Sequence, residues 1–182
     1  MSRVSTVYLL TCAAIGVAGG VLLWGSSALG IVVSATVPWL QVAFTGFWML
    51  PGVVALRLLQ RPFAGLLTGL IAGLVILPYI GASLWWVFFA ELPFLLLLYK
   101  RWWTGLHYVG ALLAAIPYPI LAAEYFGVWS MPVWTQIAMF SITIVSCVAA
   151  AALGILIADR LTRAGVARLA RRRPPEAAPA AA

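Results

Sequence analysis

The sequence predicts an all-α integral membrane bundle of about six transmembrane helices, and three observations carry that prediction. Of its 182 residues, 65% are hydrophobic and only 8% are charged, and the mean hydropathy is +1.09. Polar surface this scarce cannot solvate a globular domain, so most of the solvent must be lipid. Apolar runs of roughly 20 residues, rather than alternating segments of about ten, select helices over a barrel, because each run must satisfy its own backbone hydrogen bonds. Finally, lysine and arginine fall at alternate junctions between these runs, which reads the formal net charge of +7 as membrane topology and not as a nucleic-acid surface.

The first span reads Val4 to Trp24, with the Trp24 indole as an interfacial anchor. A small-residue and β-branched connection, 25–38, follows. The second span runs from Trp39 to Leu59 and is interrupted by Pro51-Gly52. Pro62 opens the third, where proline at a first helical turn costs little, and the Pro78-Tyr79-Ile80-Gly81 turn closes it after Leu77. Span four is Leu84 to Tyr99, stopped by Lys100-Arg101. Span five is Thr104 to Phe126 with Pro117 and Pro119 inside it, and span six is Val133 to Ala158. Residues 1–160 are thus one transmembrane domain, and 161–182 form a basic, then Pro/Ala-rich tail expected to be disordered at its end.

Sidedness follows from the basic residues. Arg3, Arg57, Arg61, Lys100, Arg101 and Arg160, with every arginine after it, share one side, which the positive-inside rule assigns to the cytoplasm together with both termini. The predicted location is the plasma (inner) membrane, with outer loops at 25–38, 78–83 and 127–132. A cleaved signal peptide is the competing reading of span one; its apolar region exceeds the usual length of about 7–15 residues and its basic start is a single arginine. Arginines 160, 163, 168 and 171–173 can meet anionic headgroups of the bilayer, or a docking partner.

Glu91 and Glu124 are the informative acids. Glu91 lies about seven residues into span four, roughly 10 Å below the outer boundary, where an unpaired carboxylate is costly. With no basic residue expected at that depth, a cationic ligand fits as its partner; the competing reading is a helix-to-helix hydrogen bond or a protonated buried acid. Glu124, at the outer end of span five, is a second candidate or an ordinary interfacial acid. Aromatic faces attract cations and stack on flat heterocycles, so Trp48, Tyr79, Trp85, Phe88 and Tyr118 join the candidate set, with Phe88 better phased to Glu91 than Trp85. Gln41 could hydrogen-bond a ligand or another helix. Small residues at intervals of four make smooth faces: Gly65, Gly69 and Gly73 in span three, and Ala14 and Ala18 in span one, suited to the bundle's own packing or to another protein.

The remaining motifs point away from catalysis. Cys12 and Cys147 stand remote from each other without a CxxC or CxxH context, so neither a disulfide nor a metal site is expected. No GxxxxGK[ST] phosphate loop or HExxH pair is present, and His107 has no nucleophile at matching depth, so no enzyme activity and no cofactor are expected.

Phe47-Trp48, Arg61-Pro62-Phe63-Ala64-Gly65, Phe89-Ala90-Glu91, Lys100-Arg101-Trp102 and Glu124-Tyr125-Phe126 together resemble the YkoE-type substrate-binding (S) components of energy-coupling factor (ECF) transporters, over roughly residues 40–165. The resemblance implies a six-helix subunit that captures a vitamin, thiamin or its hydroxymethylpyrimidine precursor, from outside. Its partners would be a transmembrane coupling (T) subunit and two cytoplasmic ATPases, with Ala14 and Ala18 matching the family's coupling-subunit contact. A non-transporting assembly subunit and a proton-coupled carrier using Glu91 are the other functional classes the residues admit.

Overall fold

The computed structural model describes residues 6–166, and all regular structure among them is helical. Arg3 and the tail beyond residue 166, including arginines 168 and 171–173, lie outside the described residues. Seven α-helices follow in order: α1 Thr6–Ser34, α2 Gly46–Leu59, α3 Ala64–Val75, α4 Ile80–Leu96, α5 Gly105–Ala115, α6 Pro117–Tyr125 and α7 Val133–Arg163. Short 3₁₀ segments at Pro38–Phe44, Leu77–Tyr79 and Val128–Ser130 lead into α2, α4 and α7. Five stretches are long and apolar enough to cross a membrane: Thr6–Ser34, Pro38–Leu59, Leu77–Leu96, Gly105–Tyr125 and Val133–Arg163. The chain is a multi-pass membrane protein.

Three boundaries differ from the sequence expectation. The first helix continues ten residues past Trp24 to Ser34, so most of the predicted 25–38 loop is helix; glycine and serine, which break helices in water, are tolerated where lipid leaves the backbone no alternative partner. Helix α4 begins at Ile80, inside the predicted 78–83 loop, and ends at Leu96. The third span holds only 12 helical residues, about 18 Å of rise, and is too short to cross a bilayer alone.

Helix α2 is the central element, with Met49–Ala55 and most of its remaining length buried against α1, α3, α4 and α7. Glycines make these approaches possible. A Cβ on Gly73 would come within 2.9 Å of Ile80 Cγ1, one on Gly16 within 2.7 Å of Ile71 Cβ, and one on Gly154 within 2.7 Å of Val53 Cγ1. Gly69 meets the Val87 side chain in the same way. The Gly65, Gly69 and Gly73 face is therefore packed against α4 and α2 within the chain, the first of the two uses expected for it. Ala14 and Ala18 differ: both are exposed and border an apolar groove with Val7, Leu10, Leu58 and Leu161.

At the end of the bundle carrying Arg57, Arg61, Lys100, Arg101, Arg160 and Arg163, the chain is tied together by polar contacts. Arg57 Nε donates to Asp159 Oδ1 at 2.9 Å and Nη1 donates to Thr104 Oγ1 at 3.2 Å, joining α2, α5 and α7. Four non-glycine residues with left-handed backbone, Gln60, Phe63, Leu98 and Tyr99, form the turns of this end.

Candidate functional site

The opposite end opens into a cavity of about 250 Å³. Its wall is assembled from five places in the chain: Ser26, Ser27, Gly30 and Ile31 on the last turns of α1; Gln41, Phe44 and Thr45 on the connection to α2; Trp48 on α2; Tyr79, Ala82 and Trp86 at the start of α4; and Tyr118 on α6. The proline-containing 3₁₀ segment at residue 38 lets the chain double back across the end of the bundle, which brings Gln41 beside Gly30. The break at Ile116, where α5 gives way to Pro117, aims Tyr118 across the mouth of α4.

Two aromatic pairs dominate this wall. Trp48 and Tyr79 meet edge to face with centroids 5.9 Å apart, and Trp86 and Tyr118 lie 4.7 Å apart at 52°. Trp85 packs behind, 4.9 Å from Trp86 and 5.9 Å from Tyr118. Rings held by other rings in this manner are fixed in place and can accept a flat molecule without first having to be ordered. The polar lining consists of hydroxyls and one carboxamide, and no lining residue carries a formal charge.

Of the sequence-predicted candidates, Gln41, Trp48, Tyr79 and Tyr118 line this cavity, and Trp85 supports it. Phe88 is 40% exposed on the outer face of α4, and Glu124 is exposed near the end of α6; neither is on the wall. Ser26, Ser27, Thr45 and Trp86 complete the cavity without having been singled out as ligand contacts. A pair of serines inside an apolar helix was the available signal for two of them, masked by reading Gly25–Pro38 as a loop.

Glu91 requires a correction. It lies 11 residues beyond Ile80, about 16 Å along α4, near the basic end and away from the cavity. Its side chain is 2% exposed. The backbone N–H of Leu66 donates to Oε2 at 2.7 Å, and the Tyr99 hydroxyl donates to Oε1 at 2.9 Å. Phe63, the residue before α3, has left-handed backbone and makes no side-chain cap, so the first turn of α3 receives its acceptor from Glu91 instead. Gly65 leaves room for this, since a Cβ there would sit 2.9 Å from Oε2. The carboxyl expected to await a cation is occupied by a helix terminus and a tyrosine.

Comparison with known proteins places this architecture. The fold matches a solved structure described as an S-component of an ECF transporter, with a TM-score of 0.78 over 90% of this chain and 88% of that one, at 20% sequence identity. No curated protein matches the chain. A family model described as the permease component of the ABC-type cobalt transport system matches residues 7–117, from the first turn of α1 to the first residue of α6. With well over half its length covered by that match, the chain belongs to the ABC-type cobalt transport system permease family, a family of transport components and not of enzymes.

Proposed function

We propose that this protein is the substrate-binding (S) subunit of an ECF-type importer, taking up thiamin or its hydroxymethylpyrimidine precursor. The observation that carries this reading is the aromatic cavity at the end remote from the arginines. The positive-inside rule turns that end outward and puts both termini in the cytoplasm. Two indoles, two phenols and a carboxamide suit a flat ring with hydrogen-bonding edges. A coupling subunit would dock on the exposed Ala14 and Ala18 of α1, where small side chains permit close helix approach, and two cytoplasmic ATPases would supply the energy. The overall likeness to an S-component structure supports this assignment.

The description of the family also raises cobalt as cargo. Cobalt favours imidazole, thiolate and carboxylate ligands, whereas the cavity offers only hydroxyl, amide and indole groups. Among the described residues no cluster of three histidine, cysteine or acidic side chains stands ready to hold a metal. The donor chemistry therefore favours the organic ligand.

Titration of the purified protein with thiamin and hydroxymethylpyrimidine, followed by tryptophan fluorescence, tests the reading directly. Saturable quenching that Trp48→Ala weakens by at least tenfold is expected; absence of a response to either compound at millimolar concentration refutes it.

A further inference from the structure

We infer that Ser146 of α7, which does not line the cavity, is a positioning residue for ligand capture: its hydroxyl fixes the stretch 41–48 that forms one side of the wall. The inference rests on the capture function proposed above and deepens it.

Four lining residues, Gln41, Phe44, Thr45 and Trp48, come from this one stretch, where the 3₁₀ segment Pro38–Phe44 passes into α2. Such a joint is weak by nature, because the first N–H groups of a helix have no partner within it. Thr45 stands at the N-cap position of α2 but supplies no side-chain cap; its hydroxyl donates to Val42 O at 2.7 Å instead. Ser146 provides the missing acceptor from another helix. Its Oγ accepts the Gly46 N–H at 3.0 Å and donates to Ala43 O at 2.7 Å. One hydroxyl thus brackets Phe44 and Thr45 and ties the end of the 3₁₀ segment and the start of α2 to a single point on α7. A helical serine or threonine ordinarily turns its hydroxyl onto the carbonyl three or four residues back, as Thr143 does with Met139 O at 2.8 Å. Ser146 is directed across the interface.

Packing at the joint makes this reach possible. A Cβ on Gly46 would collide with the Ser146 carbonyl oxygen and lie 2.9 Å from Ala150 Cβ, so the backbones of α2 and α7 meet here with nothing between them. Just before the bracket, Val42 is fully buried among Ala122, Ala123, Val128 and Met139. That apolar contact holds the segment against α6 and α7 but is non-directional, and the stretch could still turn about it. The two hydrogen bonds of Ser146 are directional and remove this freedom. Phe44 and Thr45, and through the first turn of α2 also Trp48, are therefore set before a ligand arrives, which then binds without having to order them. Ser146 also borders an open apolar groove with Ala43, Phe47, Ala149 and Leu153, so a further methyl group on its side chain finds room.

The test uses the full chain in nanodiscs, with Ser146→Ala, Ser146→Thr and, as a variant weakened at the far end of the bundle, Arg57→Ala. Hydroxymethylpyrimidine and thiamin are the titrants, and amide hydrogen exchange of residues 38–48 is followed without ligand. Ser146→Ala should weaken binding about tenfold and speed exchange in 38–48 by a similar factor, the equivalent of one hydrogen bond. Ser146→Thr keeps the hydroxyl and should restore both, while Arg57→Ala should lower the thermal midpoint and alter neither. An equal loss of affinity in Arg57→Ala, or no recovery in Ser146→Thr, overturns the positioning role, as does unchanged exchange in Ser146→Ala. If neither compound binds the wild-type protein, the capture reading fails and the effect on affinity with it; the exchange rates, which need no ligand, then decide by themselves whether Ser146 holds the wall.

Discussion

Replacing Glu91 separates a ligand contact from a structural clasp. Alanine at this position strips the acceptor from two groups at once, the Leu66 N–H at 2.7 Å and the Tyr99 hydroxyl at 2.9 Å, inside a region where Glu91 is 2% exposed. Leaving a buried donor unsatisfied costs about 1–3 kcal/mol, and hydrogen bonds between membrane helices measure about 0.6–1.7 kcal/mol. Two such losses give about 2–4 kcal/mol for Glu91→Ala. Glu91→Gln retains one carbonyl acceptor for Leu66 and should lose only about 1 kcal/mol. Unfolding in mixed micelles of rising denaturing-detergent content, followed by tryptophan fluorescence, reads these differences, and ligand titration on the same samples reads affinity. Stability should fall in the order wild type, Gln, Ala, with the affinity of the Gln variant unchanged. A Gln variant that unfolds like wild type but no longer binds ligand would refute the clasp and return Glu91 to the binding site.

Gly69→Ala should destabilise the bundle by about 1–3 kcal/mol, since its new methyl meets the Val87 side chain, and Val87→Ala in the same molecule should recover part of that loss in the micelle assay. Trp86→Ala, at a site 3% exposed, should cost about 3–5 kcal/mol as well as affinity, whereas Trp48→Ala should act mainly on affinity because Trp48 is only half-buried; comparable loss of stability in both would contradict that division. Arg57→Ala removes a partly exposed ion pair with Asp159 and the bond to Thr104, so its effect should stay near 1 kcal/mol and shrink at high salt in denaturation measurements. Ala14→Leu should leave ligand binding intact while preventing co-purification with a coupling subunit, because Ala14 lies on an exposed groove and touches no cavity residue; loss of binding would refute this separation.

What the residues disclosed depended on how far a local pattern could reach. The apolar runs declared the spans because bilayer thickness constrains each run independently of its neighbours. Four cavity residues, Gln41, Trp48, Tyr79 and Tyr118, were recognisable from aromatic and amide character near one end of the spans. Glu91 was misplaced because depth was counted from Leu84, whereas α4 begins four residues earlier; the shift moves the carboxyl toward the basic end, where Leu66 and Tyr99 wait for it. Its partners could not be read from spacing, since one is a backbone N–H freed by the left-handed Phe63 and the other is carried by the left-handed turn at Leu98 and Tyr99. Glycine spacing in span three correctly indicated a smooth face, but only the packed neighbours Val87 and Ile80 identify which helix fills it.

Helix α3 has a mechanical consequence beyond its packing role. Its 12 residues rise about 18 Å, against a hydrocarbon slab of about 30 Å, and Leu70, Leu74 and Val75 face outward from it. Lipids along that flank must compress, or the whole subunit must lean so that the thin side is covered. The neighbouring α1 and the more distant α7 run for 29 and 31 residues and favour a thicker annulus. A body that is thin on one side and tall on the others experiences a torque from the bilayer itself, so membrane thickness acts on the resting orientation of this protein as a force and not merely as a container.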